Sequence, residues 1–331
     1  MNNEAGIDAA EAAERWLNDG RGVTLVTVMS TWGSAPRLPG SQMAVRDDGA
    51  FAGSVSAGCI EGAVIEAALT APTCRRLAYG IADETAWSAG LTCGGRIELL
   101  VEPLAGDAAH EAVATWNALR RRGRIAVRAV EPTSGACRII DIDAETDALA
   151  ACARDAALRD RCGEISCGGQ TWFLTVANPP IDLVIVGAVH IAQALVRMAA
   201  PLAYRFRIID PRPAFATAER FPGVTLTHAY PDEAIAKAPL HARSAVVVLA
   251  HDPKIDDPAL IAALNSAAFY IGALGSQKTQ AARRERLKAE GFGDDDLARL
   301  HGPVGLSIGS KTPEEIAVSI IADIIKTQHR A

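Results

Sequence analysis

The sequence has few aromatic residues, no long hydrophobic run and no excess of basic charge. Aromatic residues make up 5% of its 331 residues, so the core must be built mainly from Ala, Val, Leu and Ile. The longest apolar stretches, such as Ile181–Ala188 and Ser244–Ala250, are much shorter than the roughly 20 residues of a membrane-spanning helix. The formal net charge of −6 argues against a broad basic surface for nucleic acid.

Several sequence signatures are also missing. The N-terminus has neither a basic start nor an apolar segment, so we expect no signal peptide and a cytoplasmic protein. No Gly-x-Ser-x-Gly, His-Glu-x-x-His or Walker loop occurs. These absences disfavour the common hydrolases and kinases without excluding an unusual one.

The seven cysteines do not form a recognisable framework. Their number is odd and their spacing is irregular, which predicts reduced thiols rather than disulfides. No pair has Cys-x-x-Cys spacing. Cys162 and Cys167 are the closest pair, but their spacing is a weak match to a zinc or iron–sulfur site.

The fold class predicted from the hydrophobic pattern is α/β, with two domains. Residues 1–177 mix short strands and helices with Gly- and Ser-rich loops, which predicts a mixed α+β domain. Asn178-Pro-Pro180 is the best linker, because consecutive prolines fit neither a helix nor a central strand. Residues 181–331 alternate strands and helices, which predicts a Rossmann-like parallel sheet.

Some helices can be bounded from the sequence. Periodic apolar residues and capping signals predict helices at Ile7–Leu17, Glu61–Leu69, His190–Ala199, Asp257–Asn265 and Pro313–Thr327. Thr312 is the predicted N-cap of the last helix, with Pro313 in its first turn.

The segment Gly187-Ala-Val-His-Ile-Ala192 lies where a Rossmann phosphate loop is expected. It follows the first strand of the second domain, and Asp210 ends the next strand, where a ribose hydroxyl would be bound. Val189 occupies the position of the second glycine, which lets the backbone approach pyrophosphate. A Rossmann sheet that binds no NAD is therefore favoured. The N-terminus of the helix at His190 would still offer N–H groups to an anion.

A second candidate site is the loop Gly53-Ser-Val-Ser-Ala-Gly-Cys59, followed by Glu61. We expect its small residues, including Ser54, Ser56 and Gly58, to leave N–H groups and hydroxyls available for phosphate or pterin edges. Cys59 precedes a helix, whose dipole is expected to lower the thiol pKa and raise its reactivity. A buried, inert cysteine beside a tight turn is an equally good interpretation.

Further candidates lie on two other loops of the first domain and at strand ends of the second. Arg37, in Gly33-Ser34-Ala-Pro-Arg37, is framed by Pro and Gly and suits bidentate binding of an anion, although a solvated arginine is the simpler interpretation. A small-residue turn carries Cys93 and Gly94. Ligands of parallel sheets bind at the carboxyl ends of strands, where we place His190, His251, Gly275 and Ser276.

Taken together, these segments resemble the XdhC/CoxI family of accessory proteins for xanthine dehydrogenase and CO dehydrogenase. The resemblance covers nearly the whole chain. It is carried by these matches: Gly33–Arg37, Gly53–Gly62, Leu91–Gly95, Val186–His190, Ile209–Arg212, Leu249–Pro253, Tyr270–Ser276 and Ile308–Ala317. The family usually has glycine at positions 57 and 189, where this chain has Ala57 and Val189.

The resemblance implies a molybdenum cofactor chaperone rather than an enzyme. Such a protein binds molybdopterin, in its plain or cytosine dinucleotide form, while a cysteine desulfurase exchanges an oxo ligand for sulfido. It then inserts the cofactor into an apo molybdenum hydroxylase such as xanthine dehydrogenase. Cys59 would contact molybdenum or the transferred sulfur, and a homodimer is expected. The predicted cofactor-binding residues are Ser34, Arg37, Ser54, Ser56, Gly58, Cys59, Glu61, Cys93, Gly94, Gly187, His190, Asp210, His251, Gly275 and Ser276.

Three alternatives remain open at this point. The first is an NAD(P)-dependent oxidoreductase that uses Gly187–Ala192 and Asp210. The second is a regulator controlled by a nucleotide at the Rossmann half. The third is a selenium- or sulfur-handling protein that uses Cys59.

Overall fold

The computed structural model describes residues 8–33, 37–80 and 95–329. The chain forms two compact units, residues 1–179 and residues 180–331. Within the described ranges, no helix is both long and apolar enough to cross a membrane.

The first unit contains a five-stranded antiparallel sheet. Its strands are β1 (Val23–Trp32), β2 (Gln42–Arg46), β3 (Phe51–Gly53), β4 (Arg75–Tyr79) and β5 (Arg96–Pro103), in the spatial order β3-β2-β1-β5-β4. Successive side chains of a strand point to opposite faces. Leu25 of β1 therefore packs with helix α1 (Ala9–Asn18), whereas Val26 packs with helix α2 (Glu61–Leu69).

The same unit contains a second, four-stranded antiparallel sheet. Its strands are β6 (Ala126–Val130), β7 (Cys137–Asp141), β8 (Gly163–Cys167) and β9 (Gln170–Ala177), in the order β7-β6-β9-β8. Helix α3 (Asp107–Arg121) precedes the sheet. Helix α4 (Ala148–Leu158) is N-capped by Asp147 and buries Ala150 and Ala153 against the sheet.

A buried ion pair joins the two sheets of the first unit. Arg128 of β6 and Glu102 of β5 form two hydrogen bonds, at 2.8 and 3.0 Å, and both side chains are almost fully buried. Each charge is out of water and depends on the other for compensation.

The second unit is a six-stranded parallel sheet with helices on both faces. The strands are β10 (Asp182–Val186), β11 (Arg205–Ile209), β12 (Thr225–Thr227), β13 (Ser244–Val248), β14 (Tyr270–Ala273) and β15 (Leu300–His301), in the order β12-β11-β10-β13-β14-β15. The helices are α5 (His190–Ala199), α6 (Pro231–Lys237), α7 (Pro253–Leu264), α8 (Gln277–Ala289), α9 (Asp294–Ala298) and α10 (Pro313–Gln328). This arrangement confirms the predicted Rossmann-like fold.

Most predicted helix bounds agree with the structure. The helices predicted at Glu61–Leu69 and His190–Ala199 have those bounds, and Thr312 caps α10 as predicted. The helix predicted to begin at Asp257 begins four residues earlier, because Asp252 caps it and Pro253 suits its first turn. That helix tolerates Pro258 in its interior.

Candidate functional site

Two loops that carry predicted site residues leave the first sheet at the same end. Strand β1 ends at Trp32 and β2 begins at Gln42, so the loop with Arg37 lies at this end. Strand β3 ends at Gly53, which pairs with Met43 at the start of β2, so the loop 54–60 leaves from the same end. The antiparallel register therefore brings Arg37 and Cys59 to one end of the sheet.

The loop 54–60 is folded around the carboxylate of Glu61. Glu61 accepts hydrogen bonds from the Ser54 hydroxyl at 2.7 Å, from the hydroxyl and N–H of Ser56, and from the N–H of Gly58 at 2.9 Å. Burial raises the pKa of Glu61, but the hydrogen bonds from Ser56 and Ser54 outweigh it and leave the pKa below its usual value. The carboxylate is therefore held in its ionised form.

The expectation that this loop presents free hydroxyls and N–H groups is wrong for most of its polar atoms. The Ser54 hydroxyl accepts from the N–H of Ala57, and the Ser56 hydroxyl accepts from the N–H of Ile60. Ser56 is buried. Small polar residues make such loops because they bond to nearby backbone, and here they use their donors internally.

The Cys59 thiol and the first N–H groups of α2 are polar groups at this loop that are not used in its internal hydrogen bonds. The Cys59 thiol is half-buried and precedes α2, whose N-cap residue, Ile60, has no side chain that can cap the helix. The first-turn N–H groups at the exposed Gly62 and the half-buried Ala63 are therefore not capped by a side chain, which is the usual anion-binding feature of a helix N-terminus. Cys59 thus lies beside a helix N-terminus that already carries the ionised carboxylate of Glu61.

Arg37 is exposed, and within the described ranges no hydrogen-bond or ion-pair partner holds its guanidinium. Two large apolar side chains, Trp32 at the end of β1 and Leu38 on the following loop, are each 76% exposed. Three predicted site residues, Ser34, Cys93 and Gly94, lie outside the described residues.

In the second unit, the predicted site residues lie at one edge of the parallel sheet. They follow the carboxyl ends of the adjacent strands β10, β11, β13 and β14: Gly187, His190, Asp210, His251, Gly275 and Ser276. The strand order reverses between β10 and β13, which is where ligands of open α/β sheets bind. His190 and His251 are exposed at this edge.

Asp210 shapes the first loop of this edge. Its two oxygens accept four hydrogen bonds, from the N–H of Ala188 at 2.8 Å and from the N–H and guanidinium of Arg212 at 2.8–3.0 Å. Asp210 is fully buried. Burial raises its pKa, but the bonds from Arg212 and Ala188 lower it below the usual value. A ribose hydroxyl at Asp210 would have to compete with these donors.

The glycine at the start of this loop is required by packing. Gly187 has φ +103°, and a Cβ there would lie 2.6 Å from the backbone nitrogen of Ala250. Val189, in contrast, has an extended backbone (φ −91°, ψ 178°) that any residue adopts. The valine therefore changes what can approach the loop, not how the loop is folded.

His251 and the residues beside it form an unusual group at the end of β13. His251 has φ +60°, which is rare for a residue other than glycine. Asp256, on α7, is buried and pairs with Arg283 at 3.1 Å, but its other carboxylate oxygen has no partner within the described part of the chain. Burial raises the pKa of Asp256 to about 6, against the lowering effects of Arg283 and His251.

Ser276 serves as the N-cap of α8. Its hydroxyl accepts from the N–H of Thr279 and contacts the Thr279 hydroxyl at 3.0 Å. Gly275 has φ +140°, a conformation that favours glycine at this turn. Both residues thus have local structural roles at the predicted edge.

Sequence reasoning missed one group, which consists of Tyr270, Asp323 and His301. A single carboxylate oxygen of Asp323 lies 2.9 Å from the Tyr270 hydroxyl and 2.8 Å from His301 Nδ1. Burial raises the pKa of Tyr270, and Asp323 raises it further. His301 ends β15 at the carboxyl edge. No sequence signal links residues on an edge strand and a distant helix.

The six described cysteines carry free thiols. Cys162 and Cys167 do not share surroundings, since Cys162 packs with Phe173 and Cys167 packs against the α4 cluster. Over the described ranges, no group of three or more His, Cys, Asp or Glu residues is arranged to hold a metal ion.

Two family models match the chain. The model described as the XdhC Rossmann domain matches residues 183–324, and the model of the XdhC and CoxI family matches residues 16–79. The chain is 29% identical over 312 residues to the molybdenum cofactor insertion chaperone PaoD of Escherichia coli K12, covering 93% of this chain and 84% of PaoD.

Two further proteins are similar over almost their full length. A probable xanthine dehydrogenase subunit of Bacillus subtilis 168 is 28% identical over 327 residues, which cover 95% of this chain and 96% of the relative. A crystal structure of a xanthine dehydrogenase from Bacillus halodurans has a TM-score of 0.67 at 24% identity, with 97% of this chain and 96% of that chain covered. The similarity to the Bacillus halodurans structure shows a shared fold.

Proposed function

Because the chain belongs to the XdhC and CoxI family, we propose that it is a chaperone that binds molybdenum cofactor as cargo and inserts it into an apo molybdenum enzyme. The similarity to PaoD, a molybdenum cofactor insertion chaperone, supports this role. The structural observation that carries the proposal is the loop 54–60, which is held by hydrogen bonds to Glu61 and carries the half-buried Cys59.

The residues at this end of the sheet suit the chemistry of the cargo. Molybdenum cofactor is an anionic pterin with a phosphate group, so the exposed Arg37 offers complementary charge, and the N–H groups at Gly62 and Ala63 offer hydrogen-bond donors. Thiolates are soft ligands for transition metals, and Cys59 is the thiol on this loop. In this proposal Glu61, Ser54 and Ser56 act indirectly, by holding Cys59 and the backbone in place.

The finer steps of the proposal concern sulfur and the acceptor enzyme. While the cofactor is bound, a cysteine desulfurase supplies the sulfur that replaces one oxo ligand, and Cys59 lies against the molybdenum or the incoming sulfur. The acceptor is an apo hydroxylase of the xanthine dehydrogenase type. A cytosine dinucleotide form of the cofactor would bring a nucleotide to the carboxyl edge of the Rossmann-like unit.

We further propose that the acceptor enzyme docks beside Arg37. Trp32, at the end of β1, and Leu38, next to Arg37 on the following loop, expose large apolar surfaces. Exposed apolar patches on a folded protein commonly mark interaction sites. Docking here would place the acceptor at the same end of the sheet as Cys59, so transfer would require only a short displacement of the cargo.

An NAD(P)-dependent oxidoreductase is the weaker proposal. The oxygens of Asp210 already accept four hydrogen bonds, and Val189 narrows the approach to the backbone where pyrophosphate would lie. A fluorescence titration with NADH tests this alternative directly, and saturable binding at micromolar concentration would favour it.

The first experiment measures retention of the cargo. Purified full-length protein is mixed with free molybdenum cofactor and desalted, and molybdenum and pterin are then assayed in the protein fraction. Wild-type protein is expected to retain both in near-equal amounts. Cys59→Ala, Arg37→Ala and Glu61→Gln are each expected to retain several-fold less, Glu61→Gln because its loop loses an ionised hydrogen-bond acceptor.

Matched controls distinguish the site from general damage. Arg21→Ala removes a partly exposed arginine at the opposite end of the same sheet, and Glu66→Gln changes an exposed glutamate on α2; both are expected to retain the cargo fully. Wild-type protein that is folded but retains neither molybdenum nor pterin would refute the proposal.

A second experiment separates binding from insertion. Loaded protein is incubated with an apo hydroxylase, and the appearance of hydroxylase activity is followed. Trp32→Ala and Leu38→Ala are expected to retain the cofactor but to activate the hydroxylase more slowly. Leu158→Ala, a change of an exposed leucine on α4, is the control and should transfer at the wild-type rate.

A further inference from the structure

The loop that carries Arg37 ends in a tight turn, Leu38-Pro-Gly-Ser41. The Ser41 N–H donates to the carbonyl oxygen of Leu38 at 3.0 Å, which closes the turn. Pro39 and Gly40 are its central residues, and Gly40 has φ +89°. A proline followed by a glycine of positive φ is the pair that type II turns favour. The direction of the chain at Arg37 therefore depends on the position of Gly40.

Gly40 lies directly against the thiol of Cys162. A Cβ at Gly40 would lie 2.3 Å from the Cys162 sulfur and 2.8 Å from the Cys162 Cβ, which is closer than packed atoms come. The Gly40 N–H donates to the carbonyl oxygen of Val28 at 2.8 Å, so Gly40 can move away from the thiol only by breaking a hydrogen bond to β1. Gly40 is thus confined between β1 and Cys162.

The Cys162 thiol is held in place by the second sheet of the first unit. Cys162 directly precedes β8, and its sulfur accepts a hydrogen bond from the N–H of Val176 on β9 at 3.2 Å. It packs against a buried apolar cluster with members from both sheets: Met29, Leu100, Val130 and Phe173. Burial raises the pKa of this thiol, so it is neutral at physiological pH and packs as an apolar group.

We propose that the packing of Gly40 on Cys162 sets where Arg37 lies, so that Cys162 is a positioning residue for binding of the cargo. The inference rests on the proposed function, in which Arg37 binds the anionic cofactor. Cys162 acts through the turn and does not itself contact the cargo. The second sheet, which carries none of the predicted cofactor-binding residues, would in this way support the site at the end of the first.

A larger side chain in place of Cys162 would push the turn outward. Protein interiors are close-packed, so extra atoms force neighbouring side chains or backbone to move. The backbone of the half-buried Gly40 is in contact with the sulfur, and this turn lies at the surface, where it can shift. Arginine binds anions through paired N–H donors whose geometry is strict. Added bulk at Cys162 should therefore weaken cargo binding through Arg37.

The first test measures the turn without any cargo. Hydrogen–deuterium exchange of the full-length protein, followed by mass spectrometry of overlapping peptides, reports opening of the Gly40 N–H. Cys162→Met is expected to speed this exchange by about tenfold, because it displaces the turn. Cys162→Ala, which only removes the sulfur, should speed it several-fold, and Cys162→Ser should leave it at the wild-type rate. The Gly49 N–H, in the turn at the opposite end of the same sheet, is the internal control and should not change.

The second test links the turn to the cargo. Cys162→Met is expected to bind molybdenum cofactor several-fold more weakly than wild type, and Cys162→Ser should bind it equally well. Because Cys162 acts through Arg37, Cys162→Met should cause no further loss of affinity in an Arg37→Ala background, whereas general damage would add to the loss. Cys152→Met, the same change at a partly exposed cysteine of α4, is the matched control and should bind the cargo as wild type does.

The two tests separate this contact from the proposed function. Unchanged exchange at Gly40 in both Cys162→Met and Cys162→Ala would overturn the positioning contact, whatever the cargo does. Faster exchange with unchanged cargo affinity, or a further loss of affinity in the Arg37→Ala background, would overturn the role of the contact in binding. Wild-type protein that binds no cargo would refute the proposed function and the cargo role together, while the exchange rates would still decide whether Cys162 fixes the turn.

Discussion

At the scale of single residues, the loop before Cys59 carries local backbone strain. Ala57 has φ +59°, in the left-handed region that costs an ordinary residue about 1–2 kcal/mol. Glycine has no Cβ and adopts this conformation freely. The strain is a property of this chain, and a single substitution can remove it.

We expect Ala57→Gly to raise the free energy of unfolding by about 0.5–1 kcal/mol, because the relief of strain exceeds the extra entropy of glycine in the unfolded chain. Ala63→Gly, six residues later within α2, is the matched control and should lower the free energy of unfolding by about 1 kcal/mol. Urea denaturation measures both. If both substitutions raised, or both lowered, the free energy of unfolding, the backbone strain at Ala57 would be contradicted.

Burial of the Asp256 carboxyl makes the free energy of unfolding depend on pH. Its pKa is raised to about 6 by burial, from a usual value near 3.8, so the folded state binds more protons than the unfolded state between these values. Stability from this group is therefore present below pH 3.8 and is lost as the pH rises through about 6. The groups that face Asp256 are Arg283, His251 and Asp257.

Relative to Asp256→Asn, the wild-type protein is expected to lose roughly 3 kcal/mol of unfolding free energy between about pH 4 and pH 7. Urea denaturation of both proteins across this range provides the measurement. Asp257→Asn keeps Asp256 and should retain the wild-type pH dependence. If the difference in unfolding free energy between wild type and Asp256→Asn did not change with pH, Asp256 would not titrate in this range.

At the scale of secondary-structure elements, the ion pair between β5 and β6 is a strong link between the two sheets of the first unit. We expect Glu102→Gln to lower the free energy of unfolding by about 3–5 kcal/mol, because Arg128 keeps a buried charge without its partner. Glu98→Gln, on the same strand, affects a partly exposed pair with Arg76 and should cost less than about 1 kcal/mol. Similar losses for both variants in urea denaturation would contradict this assignment.

The sequence predicts elements well where their signals are local. Helix α5 and strand β10 follow from periodicity and from a continuous apolar run. The sequence does not predict strand β4, because it lies at a sheet edge and its half-buried residues, Arg75, Leu77 and Tyr79, do not alternate with its exposed ones as apolar with polar types. Strand β15 has only two residues. The joint position of Tyr270, Asp323 and His301 depends on long-range packing and has no local signature.

At the scale of the whole molecule, the second unit has the features of an independently folding domain. Its sheet is covered on both faces by separate apolar clusters, one around Val184 and Val246 and one around Leu183 and Val247. We expect residues 180–331 expressed alone to unfold in one cooperative transition in urea, detected alike by circular dichroism and fluorescence. Non-coincident transitions would show that the unit needs the rest of the chain.

The two candidate sites differ in how far the sequence can describe them. Position along a parallel sheet predicts which residues share the edge with Gly187, because all parallel strands end on the same side. The roles of Glu61 and Asp210 could not be predicted, since a carboxylate beside a glycine loop can bind a ligand or the loop itself. Hydrogen-bond geometry alone distinguishes the two uses.

The carboxylate of Glu61 also bears on how fast a carrier can work. A loop that folds only around its cargo must unfold each time the cargo leaves and refold before the next cycle. The loop 54–60 takes its shape from hydrogen bonds to the carboxylate of Glu61, which belongs to the chain itself. Under the proposed function, handover would then be limited by breaking the contacts to the cargo and not by refolding of this loop.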